Sequence, residues 1–441
     1  MFIKTLEFVN PSKVYEKLQG QNSALLESQK NGNHSYVALN PYMIFKSKGE
    51  RIEIIKGKKR IIKERNPIKE LKKIIQARKV KRRKDMPLFY SGGIGYFSYD
   101  IVHFFEKLPR TAKDDLKLPD IYLIFPKDII FFDHKKRIMK IICKNKSDLQ
   151  SIIKKLQKKD KISINHKPKK IRFKSNFTFN EYKKTVNKCK EYVRAGDSFQ
   201  IKISQRFEYE IKETPFEIYK RLKKINPSPY AAFLNFEDCK LVSCSPEHLV
   251  KIENDEVETR PIGGTYPRSK NPDEDRKFAK KFMKDKKERA EHMMLIDLER
   301  NDLGKVCDYG TIRVSEMMTI EKYSHLMHIV TNIKGRLHKS KDVFDVLRAM
   351  FPGGTITGCP KIRTMEIIDE IEPVTRGPYT GSIGFINFSN EMDLNIIIRT
   401  LIIQGNKGYI QVGGGIVADS NPKKEHQETI NKAKALLEAI K

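Results

Sequence analysis

Four glutamates fall into two pairs spaced three apart on helix-like stretches. In KDKKERAEHMMLIDLERND, Glu288 and Glu291 share one helix face, and in NPKKEHQETINKAKALL, Glu425 and Glu428 do the same. Each stretch also has an apolar side, with Met293, Met294, Leu295 and Leu298 in the first and Ile430, Ala433, Leu436 and Leu437 in the second. Two carboxylates on each of two facing helices make a hard, all-oxygen site of the kind Mg²⁺ takes, with water and substrate completing the shell. Solvated glutamates on lysine-rich helices are the plainer reading of the same spacing. His328, in KYSHLMHIVTNIKG with His325 three residues before it, is the side-chain type best matched to proton transfer near neutrality. A histidine on an apolar face also fits a packed core.

Three glycine-rich stretches could meet a ligand. FPGGTITGCPKIR (351–363) holds Gly353, Gly354, Gly358 and Pro360, then Lys361 and Arg363. It opens the helix-like IRTMEIIDEIE, whose Ile362, Met365, Ile368 and Ile371 lie along one side. Free N–H groups at such a helix start suit a carboxylate or phosphate, although the glycine spacing matches neither a Walker loop nor a dinucleotide fingerprint. RPIGGTYPR places Gly263, Gly264 and Thr265 after a strand-like run, and Gly413, Gly414 and Gly415 end another. Each reads equally as a turn or bulge. Arg399, in IIIRTL, is a cation within an apolar strand; it needs a paired carboxylate, from protein or ligand, and its bidentate fork suits the latter.

The elements that must position these groups form an α+β pattern. Residues 1–150 alternate short helices with β-rich runs: HSYVALNP, GGIGYFSYD, RIMKIIC, and IYLIFPKDIIFFDH, which Pro126 splits or bulges. Residues 151–175 read as a lysine-rich linker after a short helix, Asp148 to Lys158. From 176 to 441 strands are expected at SFQIKISQRFEYEI, CKLVSCSP, LVKIEN, GSIGFINF, LNIIIRTLIIQ and GYIQVGGGIV. Helices are expected up to a C′ glycine at Gly196 and over Asp273–Asp302, Asp342–Met350, Ile362–Ile371 and Lys423–Ile440.

Composition bounds the function class. The chain of 441 residues carries a net charge of +32, which raises nucleic-acid binding. The lysines are spread along the chain, however, and there is no zinc-finger spacing, RNP-like motif or basic tail, so a solvated lysine surface accounts for the charge. Six scattered cysteines without a C-x-x-C pair read as reduced thiols. The start MFIKTLEFVN has no apolar core and no run is long enough to span a bilayer, so a cytoplasmic protein without membrane contact is expected.

Together these motifs resemble the chorismate-utilising enzymes. PIGGT, ERAEHMMLIDLERNDLG, YSHLMHIV, PGGTITGCPKIRTMEIIDEIEP, GSIGF, MDLNIIIRT and GGGIVADS occur in that family's order, and LLES, GGIGYFSYD and EKLP…DDLKLPDIYLIF extend the match over essentially the whole chain. The chain is similar to component I of aminodeoxychorismate synthase or anthranilate synthase. The resemblance implies two subdomains in a sandwich of antiparallel sheets with outer helices, and an active site in the cleft. It implies Mg²⁺ held by Glu291 and Glu428, Glu288 as the acid assisting hydroxyl departure, and His328 as the catalytic histidine. It also implies chorismate contacts at Gly264, Thr265, Lys361, Tyr379, Arg399, Gly413, Gly414 and Gly415. Gln200 stands where the isochorismate branch has a water-activating lysine, so it favours the ammonia-using branch; Lys202 lies on the same strand face. Ammonia is then expected from a separate glutamine amidotransferase subunit. Ser28, Pro229, Tyr230 and Ala231 resemble the family's tryptophan pocket. PGGTITG, GSIG and GGGIVADS resemble aminodeoxychorismate synthase, which gives 4-amino-4-deoxychorismate for folate. Gly263 is nearer the alanine of anthranilate synthases, which serve tryptophan synthesis, than the ring-attacking lysine of many aminodeoxychorismate synthases.

Overall fold

The computed structural model describes residues 1–29, 32–158, 172–269, 271–322 and 326–440, apart from the side chains of 265 and 326. Two long strands, His34–Lys48 and Ile121–Asp133, pair antiparallel at the centre. Pro126 does not split its strand: it sits opposite Pro41, where the register shifts by a bulge.

Two antiparallel arms leave this pair. One passes through Ser23–Glu27, Tyr230–Asn235, Lys240–Ser245, Thr400–Gln404 and Lys407–Ile416 to Gln200–Glu210. The other passes through Gly93–Phe97, Ser382–Ile386, Met392–Asn395, His248–Glu253 and Glu256–Arg260 to Leu326–Arg336, which also pairs with Ile262–Pro267 and Arg313–Lys322. Strands before residue 150 therefore pair directly with strands after 176, in both arms.

Apolar alternation explains the layering. Tyr96, Tyr122, Phe236, Ile383, Leu241 and Ile402 fill the space between the arms. The outer face of the first arm is covered by Pro11–Leu18, Lys146–Leu156, Pro215–Ile225 and Pro422–Ile440. The outer face of the second is covered by Pro67–Gln76, Pro272–Lys284, Lys286–Gly304 and Val343–Met350. The α+β sandwich with outer helices is thus the observed fold.

Several local expectations change. The helix expected over Asp273–Asp302 is two, because Asp285 leaves helical geometry and caps the second, accepting from the N–H groups of Lys287 and Glu288. The apolar run through Arg399 is interrupted: Met392–Asn395 and Thr400–Gln404 are separate strands, and Arg399 has φ +50° at the break. Ile362 is 49% exposed, since the buried face of Lys361–Ile371 runs through Thr364, Met365, Ile367 and Ile368 instead. Gly196 is the expected left-handed cap after Phe179–Arg194, at φ +84°. The six cysteines are thiols, five of them buried. Among the described residues no helix is long and apolar enough to cross a membrane.

Candidate active site

The far ends of the two arms and two of the outer helices enclose one cavity of about 1160 Å³. Gln200, Lys202, Gly413 and Gly415 come from the first arm. Gly263, Gly264 and His328 come from the second. Glu288 and Glu291 come from Lys286–Gly304, and Glu425, Glu428 and Lys432 from Pro422–Ile440. Tyr379, Arg399 and Glu247 complete the wall.

The glycines are set by close approach. Gly264 has φ +39° in a bulged strand, and a β-carbon there would meet Glu288 Oε2 at 2.2 Å. A β-carbon on Gly413 would meet the Tyr379 hydroxyl at 3.0 Å and the Ile203 carbonyl oxygen at 2.8 Å. Gly414 is not itself among the lining residues; a β-carbon there would lie 3.4 Å from Glu425 Oε2 and 3.9 Å from Thr429.

Within the wall a buried clamp fixes the glycine-rich loop. Arg376 grips Glu372 through two bonds of 3.0 and 2.8 Å, and donates to the Ile356 carbonyl at 2.9 Å and the Lys202 carbonyl at 2.7 Å. Its bidentate fork ties loop to strand, a role that Lys could not reproduce. Lys361 is not among the residues lining the cavity, and its ammonium pairs with the buried carboxylate of Asp302.

The carboxylates are not equivalent. Gln200 Nε2 donates to Glu291 Oε1 at 2.8 Å and Lys202 Nζ lies 3.6 Å from the same oxygen. Burial works to raise the Glu291 carboxyl, but Lys202 and Gln200 outweigh it and hold the group below the ordinary glutamate value. Burial, then the charges of Glu291 and Asp285, raise Glu288. Burial raises Glu425, with Ser420 opposing and Glu428 adding to it. Glu428 pairs with Lys432 at 2.7 Å.

Among the described residues no three His, Cys, Asp or Glu groups converge as a metal cluster. Glu291 and Glu428 nevertheless line the same cavity, each beside a second carboxylate. That donor set fits a hard divalent cation taking two protein ligands, with the remainder from water and substrate.

His328 is buried, and its Nδ1 lies 3.0 Å from the Gly264 carbonyl oxygen, which can only accept. The proton is therefore on Nδ1, and Nε2 is the basic nitrogen of the neutral ring. Burial, then the Arg399 charge, lower its pKa to about 4, against the pull of the Gly264 carbonyl. Glu247 is the functional group the sequence reading missed. It is wholly buried, and burial pushes it up to about 6, with Thr355, Ile262, Lys202 and Arg399 pulling the other way. Its Oε1 has no hydrogen-bond partner among the described residues. The signal was a lone carboxylate within the apolar LVSCSPEHLV run, where an ionised group is costly.

Ser28, Pro229, Tyr230 and Ala231 are brought together elsewhere, because Ala231 pairs with Glu27 across two strands. Tyr230 stacks on His248 with ring centroids 5.3 Å apart. Neither His325 nor the Thr265 side chain is among the described residues.

A sandwich whose cleft combines cations, paired carboxylates and a neutral imidazole suits an enzyme acting on a small dianion. Residues 21–438 match the model of the chorismate binding enzyme family, and the chain belongs to that family, as an enzyme of the anthranilate synthase and aminodeoxychorismate synthase component I type. It is 40% identical to anthranilate synthase component 1 of Acetivibrio thermocellus, over 94% of this chain and 89% of that one. It is also 40% identical to aminodeoxychorismate synthase component 1 of Bacillus subtilis (strain 168), over 97% and 93%. Among solved structures, anthranilate synthase component I from Streptococcus pneumoniae TIGR4 superposes with a TM-score of 0.85 at 33% identity, covering 97% of both chains. A Bacillus anthracis isochorismate synthase shares the fold at 20% identity and a TM-score of 0.71, covering 98% of this chain and 99% of that one.

Proposed function

We propose that this cavity aminates chorismate to 4-amino-4-deoxychorismate, with ammonia from a separate glutamine amidotransferase subunit and Mg²⁺ held by Glu291 and Glu428. The observation that carries the reading is the convergence of Arg399, His328, Glu247 and the two glutamate-bearing helices on one cavity. Mg²⁺ would supply charge neutralisation at a substrate carboxylate. Arg399 binds and orients a carboxylate through its fork. Glu247, raised by burial to about 6 so that a protonated fraction persists near neutrality, gives its proton to the departing ring hydroxyl, which leaves as water. Ammonia forms the new C–N bond, and its surplus proton passes to the Glu247 carboxylate left by the first step. In this reading Glu247 takes the acid role expected of Glu288; both line the cavity, and burial raises both carboxyls.

One observation favours a second reading, anthranilate. Gly263 offers no amine to attack the ring, which closes the covalent route through that position and favours direct addition of ammonia. Product analysis separates the two. The pure chain is incubated with chorismate, Mg²⁺ and concentrated ammonium at alkaline pH, with and without an aminodeoxychorismate lyase. 4-Aminobenzoate that appears only with the lyase supports the proposal; anthranilate formed without it assigns the second reading.

A further inference from the structure

Lys202 is a charged group of the cavity wall that the chemistry above leaves unused. It follows Gln200 by two residues on one strand, so both side chains stand on the same face. Its cross-strand partner is Gly415. A β-carbon there would fall 2.7 Å from Lys202 Nζ and 2.9 Å from Gln200 Nε2, so the glycine leaves the space that both side chains occupy.

The Lys202 backbone is pinned: its N–H donates to the Thr357 carbonyl at 2.8 Å and its carbonyl accepts from Arg376 at 2.7 Å. Only the side chain is at liberty to move. That side chain reaches to within 3.6 Å of Glu291 Oε1, the oxygen that also accepts from Gln200 at 2.8 Å. An ammonium and a divalent cation cannot share that oxygen without strong repulsion.

We propose that Lys202 is an internal counter-ion that a divalent cation must displace from Glu291, and that the displaced ammonium turns to the anionic substrate. The inference rests on the reading of Glu291 as a cation ligand. Its consequence is positive coupling. In the free protein the displaced ammonium would exchange Glu291 for Glu247, Glu288 and Glu425, whose carboxyls are raised and less readily ionised, so it would lack a full counter-charge, which is costly. A bound dianion supplies that counter-charge, so cation and substrate each tighten the other, by the same factor.

The test is binding, not turnover. Mn²⁺, which takes the same hard oxygen ligands, is titrated into the full chain and free Mn²⁺ is followed by electron paramagnetic resonance, with and without chorismate and with no ammonium present. Wild type, Lys202→Met, Lys202→Arg and Glu291→Gln are compared, with circular dichroism confirming the fold of each. The expected results are tightening of wild-type Mn²⁺ affinity by chorismate of about tenfold, and Mn²⁺ affinity of Lys202→Met without chorismate about tenfold above wild type. Lys202→Met should lose most of the chorismate effect, and Lys202→Arg should keep it. If Glu291→Gln abolishes binding while Lys202→Met binds no tighter than wild type, the cation site stands and the counter-ion is overturned. If no variant shows Glu291-dependent Mn²⁺ binding, the cation reading fails and takes the inference with it.

Discussion

A β-carbon on Gly263 would fall 2.2 Å from Nδ1 of His292 and 2.8 Å from its Cγ. Gly263 is therefore glycine for space, and the buried imidazole fills the volume that a side chain there would need. His292 cannot swing aside freely, because its Nε2 is bound to the Thr331 hydroxyl at 2.7 Å. Overpacking of this kind costs about 1–3 kcal/mol. Gly263→Ala is expected to lower the urea midpoint accordingly, and His292→Ala to relieve part of that loss when the two are combined. The check is a double-mutant cycle: additive losses would mean that His292 does not fill the space.

Two carboxyls compete for the role of proton donor, and their surroundings separate them. Glu247 is wholly buried with its pKa near 6, while Glu288 is raised by burial and by the neighbouring charge of Glu291. Glu247→Gln keeps shape and removes the proton, so it should lower kcat by about 10²- to 10⁴-fold with little change in KM. Glu288→Gln should cost less than about tenfold, because it removes a charge without removing the donor. Steady-state kinetics on both variants decide the matter: the reverse ranking would return the role to Glu288.

Local spacing carried the carboxylate pairs, because an i, i+3 relationship on a helix is fixed by the sequence alone. Glu288, Glu291, Glu425 and Glu428 accordingly do line one cavity. The same logic misled at Arg399, where a positive φ breaks the chain inside an apolar run that looks continuous. Lys361 shows a partner that the sequence did not suggest. Its partner Asp302 is 59 residues away, and nothing local distinguishes an ammonium aimed at a ligand from one aimed at a buried carboxylate. Glu247 escaped notice because burial, not neighbouring residues in the chain, gives it its chemistry. The α+β class was legible in the alternating apolar strands and the sandwich was implied by the resemblance, but the crossing of both arms between the first 150 residues and the remainder depends on long-range pairing that no local pattern encodes.

His328 gives a pH dependence with a definite sign. In the unfolded chain its ring protonates near the ordinary value of about 6.5. In the folded protein burial and Arg399 delay protonation to about 4. Between those values the unfolded state binds more protons, so this group's contribution to stability is present above pH 6.5 and lost as pH falls towards 4. The full loss is on the order of 3 kcal/mol. His328→Asn keeps a donor for the Gly264 carbonyl but does not titrate. Its deficit against wild type should therefore be largest at pH 7 and shrink steadily through pH 5.5 to pH 4.5, read as the difference in urea midpoints. A constant difference across that range would mean that the ring titrates normally in the folded state.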